Sequence, residues 1–249
     1  MNKKHPEDHL VFGIRAVIES INAGKEIDKL FIQKQLNNPL IKELIQTAKS
    51  YQVPILTVPI EKLNRITRKN HQGAIAFVSA VQYGSLDNII SETYQKGKEP
   101  FLLLLDRVTD VRNFGAIARS AECSGVQGII VPSKGGAAIN SDAMKTSAGA
   151  LNYVPVCRSG NLKDTIKYLK DYGISVVACT EKTEKYIYDI DFKGPICIIM
   201  GSEENGISTE YLKLCDSKVK IPMYGKVESL NVSVSAGIAL YEVVRQRNL

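Results

Sequence analysis

The chain has 249 residues, enough for one large domain or two modest ones, and its 44% hydrophobic and 23% charged residues are ordinary for a globular protein. No apolar run approaches the roughly 18 residues that span a membrane, and no apolar segment follows the lysines of MNKKHPEDH, so neither a membrane span nor a signal peptide is predicted. The five cysteines are scattered without a C-x-x-C pair, which predicts a reducing, cytoplasmic location and no zinc site.

The formal net charge of +6 is distributed unevenly. Residues 1–80 carry twelve Lys and Arg against seven Asp and Glu, whereas the remainder is close to neutral. A basic N-terminal part is typical of a polyanion-binding module joined to another domain. An excess of this size also occurs on ordinary protein surfaces, so the charge alone leaves both interpretations open.

The first part of the chain alternates between helix-like and strand-like stretches. The pattern predicts helices over residues 11–21, 40–51 and 59–66, and strands over 29–33, 53–58 and 74–80. This alternation indicates a small α/β sandwich covering residues 1–80. A polar stretch with a possible short helix follows and is closed by Pro100, so residues 81–99 are predicted to be a linker.

One connection in this part, RITRKNHQG over Arg65–Gly73, crowds basic and amide side chains together. Such residues contact phosphates and bases in nucleic-acid-binding loops, although a solvated turn has the same composition. Together with a basic residue on the first predicted helix, the candidates for binding nucleic acid are Arg15, Arg65, Arg68, Lys69, His71 and Gln72.

The second part has the longer apolar runs of a buried parallel sheet. Strands are predicted over 101–106, 128–132, 174–180 and 218–223, with one more strand leading into residues 200–208, and helices over 162–172 and 209–214. This pattern indicates a mostly parallel α/β domain over residues 100–249. In such a sheet, the loops at the carboxyl ends of the strands hold the ligand.

Three of the loops carry unusual polar residues. Asn113 and Arg119 follow the first apolar strand and are predicted to face the mouth of the same strand–helix turn. Two carboxylates, Glu203 and a neighbour, lie in the loop MGSEENGIS. Ser229 and Asn231 precede the last helix, which Asn231 is suited to cap. Each of these residues alone is more often structural; the three loops together predict a site.

Several chemistries have no support in the sequence. No G-x-G-x-x-G follows a strand, and no G-x-x-x-x-G-K-[ST] is present, so neither dinucleotide binding nor nucleotide hydrolysis is predicted. The histidines are His5, His9 and His71, none in the second part, so histidine-based or metal-based catalysis is not predicted there.

In order, the three loops resemble the three signature motifs of the SpoU (TrmH-like) family of SPOUT methyltransferases. The matching segments are NFGAIAR at 113–119, IIMGSEENGI at 198–207 and IPMYGKVESLNVSV at 221–234. The resemblance covers residues 100–249. Residues 1–80 are similar to the ribosomal-protein-like RNA-binding domain of the family branch that methylates a guanosine of 23S (large-subunit) rRNA.

The resemblance implies transfer of a methyl group from S-adenosylmethionine to a ribose 2′-hydroxyl of RNA, a trefoil knot in the second domain and a homodimer. Carried over by position, the cofactor-binding residues are Gly201, Ile221, Met223, Leu230 and Asn231. The catalytic residues are Arg119, which matches the family's catalytic arginine, with Asn113, Glu203, Ser229 and Asn231. Glu228 is interpreted as a solvated loop charge.

The leading interpretation is therefore a dimeric methyltransferase acting on a large-subunit rRNA guanosine, with rRNA or an assembling ribosomal particle as partner. A second interpretation keeps the chemistry but takes tRNA or another rRNA nucleotide as substrate. A third is a non-catalytic RNA-binding ribosome-assembly protein. Retention of Arg119 and Asn231 favours the enzyme, and failure to bind S-adenosylmethionine would favour the third interpretation.

Overall fold

The computed structural model describes residues 10–227 and 229–248. The chain divides into two compact units, one holding residues 10–82 and 138–140 and the other holding residues 83–137 and 141–248. The predicted domain limits of 1–80, 81–99 and 100–249 stay predictions. Among the residues described, no helix is long and apolar enough to cross a membrane.

The first unit is a four-stranded mixed sheet with three helices. Its elements are β1 (Leu10–Phe12), α1 (Ile14–Asn22), β2 (Ile27–Gln33), α2 (Pro39–Ser50), β3 (Ile55–Val58), α3 (Ile60–Ile66) and β4 (Ala74–Val78). The strand order is β1-β4-β2-β3, with β4 antiparallel to both neighbours and β2 parallel to β3.

The two faces of this sheet are covered to different extents. On one face, the apolar stripes of α1 and α2 form a continuous core with the strands, including the fully buried Val17, Leu30 and Leu44. On the other face, a smaller cluster forms around Phe31 and the buried Leu63 of α3. Because α3 has only seven residues, this second face is covered over a shorter length.

The start of the first unit differs from the predicted helix over residues 11–21. Val11 pairs with Ala76 in an antiparallel strand, and the helix begins only at Ile14. Gly13 between them has φ 92°, a left-handed conformation that breaks helical geometry and that glycine adopts without steric cost. The sequence showed the glycine but not that the chain turns there from strand to helix.

The second unit is a six-stranded parallel sheet with helices on it, which confirms the predicted α/β class. Its strands are β5 (Phe101–Leu105), β6 (Gly128–Pro132), β7 (Val156–Ser159), β8 (Ser175–Cys179), β9 (Ile196–Met200) and β10 (Ser217–Val219). Its helices are α4 (Leu86–Gln95), α5 (Val111–Cys123), α6 (Ser141–Thr146), α7 (Leu162–Asp171), α8 (Thr209–Leu212) and α9 (Val232–Arg247). The strand order is β10-β8-β9-β5-β6-β7, and every pairing is parallel.

One strand of this unit is shorter than predicted, and the possible short helix predicted before Pro100 is present. The strand predicted over 218–223 ends at Val219, because it lies at the edge of the sheet and Pro222 has no N–H for a ladder. The stretch predicted as linker contains α4, and Ile90 of that helix is fully buried in the same core as Leu102. This helix is therefore an integral part of the second unit.

The end of α9 is fixed to the unit by Arg247. Its guanidinium donates hydrogen bonds to the backbone oxygens of Glu99, Pro100, Phe192 and Gly194, at 2.7 to 3.3 Å. It also lies 5.2 Å from the ring centroid of Phe101. Partial burial lowers the pKa of this arginine from its usual value. One side chain thus joins α9 to the segments that precede β5 and β9.

Replacing Arg247 by alanine is expected to lower the free energy of unfolding by about 2 kcal/mol, because charge-assisted hydrogen bonds to four backbone carbonyls are lost. Urea unfolding followed by circular dichroism measures the change. Arg247→Lys should recover only part of it, since one ammonium cannot satisfy carbonyls spread across a guanidinium fork. Lys167→Ala, which removes an exposed cation of α7, is the control; equal losses in the two alanine variants would contradict the anchoring role.

Candidate active site

The carboxyl ends of β5 and β9 lie next to each other in the parallel sheet. The two strands pair along their full length, from Phe101 opposite Ile196 to Leu105 opposite Met200. The loops that leave these strands are those predicted to carry functional residues, and the loop before α9 meets them. A parallel α/β sheet places its ligand sites at this edge.

The first loop is ordered by a helix cap. Asp110 accepts hydrogen bonds from the backbone N–H groups of Arg112 and Asn113, both at 2.8 Å, and so begins α5. A short carboxylate at this position satisfies donors that have no partner within the helix and also favours the positive end of the helix dipole. The cap fixes Asn113 in the first turn of α5.

Asn231 connects all three loops. Its amide nitrogen donates to Asn113 Oδ1 at 3.0 Å and to Glu203 Oε1 at 2.6 Å. Its amide oxygen accepts from the N–H of Ser233 at 2.9 Å and caps α9. Glu203 also accepts from the N–H of Val232 at 3.1 Å, so its charge lies at the positive end of α9. Three residues predicted as catalytic, Asn113, Glu203 and Asn231, are therefore in direct contact.

A groove of about 420 Å³ opens beside this junction. Its wall includes polar side chains from the loops after β5 and β9, among them Arg107, Asp110, Asn113, Glu203, Glu204 and Asn205. In residues 10–227 and 229–248, no group of three or more His, Cys, Asp and Glu side chains is placed to hold a metal ion.

Asp106 and Arg107 contribute to the site but were not among the predicted residues. Asp106 is 1% exposed and accepts from the N–H of Ser208 at 2.7 Å. Arg107 donates to both Asp106 oxygens, at 2.9 and 3.0 Å, and to the Gly206 carbonyl at 3.3 Å. The hydrogen bond to Asp106 raises the pKa of Arg107. This pair ties the loop after β5 to the loop after β9.

A signal for the pair is present in the sequence. Asp106 is the first polar residue after five apolar ones, where a buried strand reaches the ligand edge. The backbone of Arg107 has φ 57°, an uncommon conformation for a residue other than glycine. Nothing in the sequence indicates that conformation, which turns the Arg107 side chain back toward Asp106.

The loop after β9 closes tightly on Gly201. A Cβ atom at this position would lie 2.2 Å from the carbonyl carbon of Gly206 and 2.3 Å from the nitrogen of Ile207. Only glycine allows the backbone to approach itself so closely. Gly201, predicted as a cofactor-binding residue, is buried at this crossing.

The third loop leaves apolar side chains and backbone groups open. Met223 and Leu230 are 39% and 37% exposed, and Ile221 is partly buried. Across the described residues 221–227 and 229–230, no backbone-to-backbone hydrogen bond is formed. Exposed apolar side chains beside unused N–H and C=O groups are suited to a flat heterocycle such as adenine. Glu228, interpreted above as a solvated charge, lies outside the described residues.

Arg119 and Ser229 are not part of the contact network around Asn231. Arg119 lies six residues after Asn113 on α5, which separates them by about 9 Å along the helix axis and about 120° around it. The prediction that both face the mouth of one turn is therefore wrong for a single chain. Arg119 is exposed and forms no hydrogen bond or ion pair with the residues that the structure describes. Ser229 is exposed as well.

Asn231 substitutions should separate its cap from its contact with Glu203. Asn231→Ala is expected to lower the free energy of unfolding by about 1 kcal/mol through loss of the cap. Asn231→Asp keeps the cap acceptor but brings a second carboxylate toward Glu203, which raises the pKa of one of the pair in the folded state. A raised carboxyl pKa favours folding at low pH, so this variant should lose stability as pH rises from about 4 to 7.

Thermal unfolding of both variants and the wild type across this pH range measures the difference. The alanine variant should depend less on pH than Asn231→Asp, because it adds no titrating group. A flat pH dependence for Asn231→Asp would contradict the close approach of residue 231 to Glu203.

The RNA-binding candidates of the first unit divide into two groups. Arg15, Arg65, Arg68 and Lys69 are exposed, and Arg15 also forms an ion pair with Glu43 at 3.1 Å. Of the remaining two, His71 is buried, and Gln72 is exposed but has its side-chain oxygen engaged within the unit.

His71 is only 7% exposed, and both ring nitrogens are engaged inside the unit. Its Nδ1 accepts from the N–H of Gly73 at 3.0 Å, which leaves Nε2 to donate to Asn64 Oδ1 at 2.9 Å. Gln72, with φ 52°, accepts from the N–H of Ile14 through its side-chain oxygen at 3.2 Å. The prediction that His71 contacts RNA is corrected: it holds the turn, and Gln72 satisfies a donor at the start of α1.

Burial makes several of the thiols unreactive. Burial raises the pKa of Cys157 and of Cys179 to about 12, and that of Cys215 to about 11. All five cysteines are free. Thiols with pKa values this high are protonated at neutral pH and are poor nucleophiles.

Comparison with known proteins gives consistent matches along the chain. A profile of the SpoU rRNA Methylase family matches residues 100–241, and a profile for RNA 2′-O ribose methyltransferase substrate binding matches residues 10–84. A protein of Bacillus subtilis named as a TrmH family tRNA/rRNA methyltransferase, YacO, is 35% identical over 238 residues, covering 96% of each chain. A protein of Staphylococcus haemolyticus named in the same way is 36% identical over 242 residues, covering 97% of each.

Solved structures agree with these matches. The SpoU methyltransferase AviRb from Streptomyces viridochromogenes, in complex with the cofactor AdoMet, has a TM-score of 0.61 at 27% identity, over 96% of this chain and 90% of its own. An AdoMet-bound rRNA methyltransferase from Sinorhizobium meliloti has a TM-score of 0.59 at 25% identity, over 95% and 87%. The open apolar loop before α9 fits such a cofactor. The chain belongs to the SpoU (TrmH-like) family, and it is an RNA methyltransferase that uses S-adenosylmethionine.

Proposed function

We propose that this enzyme methylates the ribose 2′-hydroxyl of a guanosine in large-subunit rRNA. The observation that carries the proposal is the junction of Asn113, Glu203 and Asn231, which joins the three family motifs beside the loop suited to adenine. The match of residues 10–84 to a substrate-binding profile supports an RNA-ribose substrate. The names of the relatives include both tRNA and rRNA, so the choice of rRNA rests on the full N-terminal unit.

Bound S-adenosylmethionine supplies an electrophilic methyl group on a sulfonium. In our proposal, Gly201, Ile221, Met223 and Leu230 hold it, chiefly through backbone groups. Asn231 keeps the loops that carry these residues in register by its hydrogen bonds to Asn113 and Glu203. The chain's main contribution is positioning, since aligning the hydroxyl with the methyl removes much of the entropic part of the barrier.

Arg119 and Ser229 are assigned to the RNA. The planar guanidinium of Arg119 is suited to hold the phosphate next to the target ribose through two parallel hydrogen bonds. Guanidinium groups remain protonated in proteins, which makes arginine an unusual base. The hydroxyl proton therefore has two routes in this scheme, one through the phosphate or a water molecule and one to an Arg119 side chain that has first lost its own proton.

The same family relationship leads us to propose a homodimer formed through α9. The helix packs its buried residues against α5 and β9, while Val234, Ile238 and Tyr241 are 50%, 36% and 51% exposed. Their spacing places them along one face of a helix, and a second copy would cover this stripe. Sedimentation velocity should give a dimer for the wild type and a monomer for Ile238→Glu.

The trefoil knot and the cytoplasmic location also stay predictions.

The decisive test is methyl transfer from labelled S-adenosylmethionine to total RNA from cells lacking the protein, followed by mapping of the labelled nucleotide. A single 2′-O-methylguanosine in large-subunit rRNA would support the proposal. Label in tRNA would keep the chemistry and overturn the substrate. Absence of label on both free RNA and immature ribosomal particles, with no cofactor binding, would favour the assembly-protein alternative.

A further inference from the structure

We propose that the less covered face of the N-terminal sheet is a binding surface for single-stranded RNA, in which lysines contact phosphates and the partly exposed Phe12 and Phe77 contact bases. We name it the lysine–aromatic face and define it by Lys29, Lys62, Lys69, Phe12, Phe31 and Phe77. The proposal rests on the proposed function, because it specifies how the substrate RNA is held.

Three aromatic rings from three strands meet on this face. Phe31 of β2 and Phe77 of β4 pack edge to face, with ring centroids 5.2 Å apart. Phe12 of β1 lies beside the same cluster. Phe31 is buried and supports the cluster, whereas Phe12 and Phe77 are only partly buried, because the seven-residue α3 leaves part of the face uncovered. Aromatic rings on an open sheet are sequence-tolerant platforms for bases of single-stranded RNA.

Each lysine of the face lies close to one of these rings. Lys29 Nζ is 4.9 Å from the Phe77 centroid, Lys62 Nζ is 4.9 Å from the Phe31 centroid, and Lys69 Nζ is 5.6 Å from the Phe12 centroid. Cation–π attraction at such distances places the ammonium groups over the face. Three positive charges are therefore spaced across an aromatic surface, as a phosphate backbone with adjacent bases requires.

The neighbouring turn strengthens the positive charge. Residues 62–69 contain four Lys and Arg and no acidic residue. With Lys29 the local set has five cations, and the adjoining acids are Asp28 and Glu61. A rim of this charge around a small apolar area favours a polyanion over a protein partner with an apolar surface.

The connection that holds His71 also contributes exposed cations next to this face. His71 is buried and the side-chain oxygen of Gln72 is engaged by the N–H of Ile14, whereas Arg68 and Lys69 of the same connection are exposed. Lys69 reaches over Phe12, so the cations of the turn continue the surface that begins at Lys29. The predicted loop and the sheet face thus form one surface.

The test measures binding of the full chain to a fluorescein-labelled single-stranded RNA over a range of salt concentrations. Lys29→Gln/Lys62→Gln removes two cations while keeping part of each side-chain stem. We expect the slope of log affinity against log salt to become shallower by about 1.4, which corresponds to an affinity loss of about tenfold at about 0.15 M salt. Lys29→Arg/Lys62→Arg should restore binding.

The matched control is Lys42→Gln/Lys49→Gln, which removes two exposed cations from α2 on the opposite face of the same sheet. It should retain nearly all of the affinity. An equal loss in this control, or an unchanged slope in Lys29→Gln/Lys62→Gln, would overturn the proposal. Acylation of lysines followed by mass spectrometry gives a second readout: added RNA should protect Lys29, Lys62 and Lys69 but not Lys42.

Protection of the same three lysines by concentrated protein without RNA would assign the face to contact between copies and would also overturn the proposal. The binding assay needs neither cofactor nor turnover, so its failure is distinguishable from failure of the proposed reaction. In methyl transfer, Lys29→Gln/Lys62→Gln should raise KM for RNA and leave kcat unchanged.

Discussion

Replacement of Arg119 by alanine is expected to abolish methyl transfer while leaving S-adenosylmethionine affinity almost unchanged. The expected rate loss is at least about 10³-fold, the size seen when one positioned donor to a reacting charge is removed. Within one chain, Arg119 is not in contact with Asn231 or with the loop before α9. Its removal should therefore not disturb cofactor binding. Single-turnover methyl transfer and calorimetric titration with S-adenosylmethionine measure the two quantities separately.

Folding of this variant should remain normal, because Arg119 is exposed and has no ion pair in the described structure. Arg119→Lys keeps the charge but loses the planar fork, and it should recover only a small part of the rate. A nearly active alanine variant would remove Arg119 from the mechanism. A parallel loss of cofactor affinity would instead assign Arg119 to the cofactor site.

The parallel sheet was predictable because its strands are buried on both sides. Phe101–Leu105 and Gly128–Pro132 are continuous apolar runs bounded by polar or small residues, a pattern that few other elements produce. The helix α9 was predictable for a related reason, since its apolar residues recur at helical spacing behind a capping asparagine. In both, the local sequence and the tertiary environment favour the same structure.

The strand β1 was not predictable, because three residues carry too little pattern and Gly13 also suits a helix start.

Side-chain direction was the second source of error. His71 reads as a polar loop residue, yet its two hydrogen bonds are satisfied inside the unit. The relative direction of the Asn113 and Arg119 side chains depends on the geometry of α5, which the order of residues in the motif does not show.

The site itself was predictable only in part. The motifs indicated Asn113, Glu203 and Asn231, and the structure shows these three in contact. Asp106 and Arg107 were missed because their effect depends on the positive φ of Arg107 and on a loop one hundred residues away. Local sequence contains neither piece of information.

Gly201→Ala is expected to be the most damaging single-methyl change in the second unit. The new Cβ would meet backbone atoms of Gly206 and Ile207 at 2.2 to 2.5 Å, and backbone cannot rotate away as a side chain can. To relieve this steric clash, the two ends of the loop would have to move apart. The hydrogen bond from the Gly206 N–H to the Ser202 carbonyl, at 2.9 Å, joins them. That movement would also displace Glu203 from Asn231.

We therefore expect a loss of about 3 kcal/mol or more in the free energy of unfolding, at or beyond the upper end for overpacked sites. Affinity for S-adenosylmethionine should fall by at least about a hundredfold, which corresponds to about 2.7 kcal/mol. Gly160→Ala is the matched control, since its Cβ would meet no atom within 4 Å and its φ is not positive. Thermal unfolding and calorimetric titration of both variants measure the effects. Wild-type affinity in Gly201→Ala would show that the loop opens without cost and that its close crossing does not shape the cofactor site.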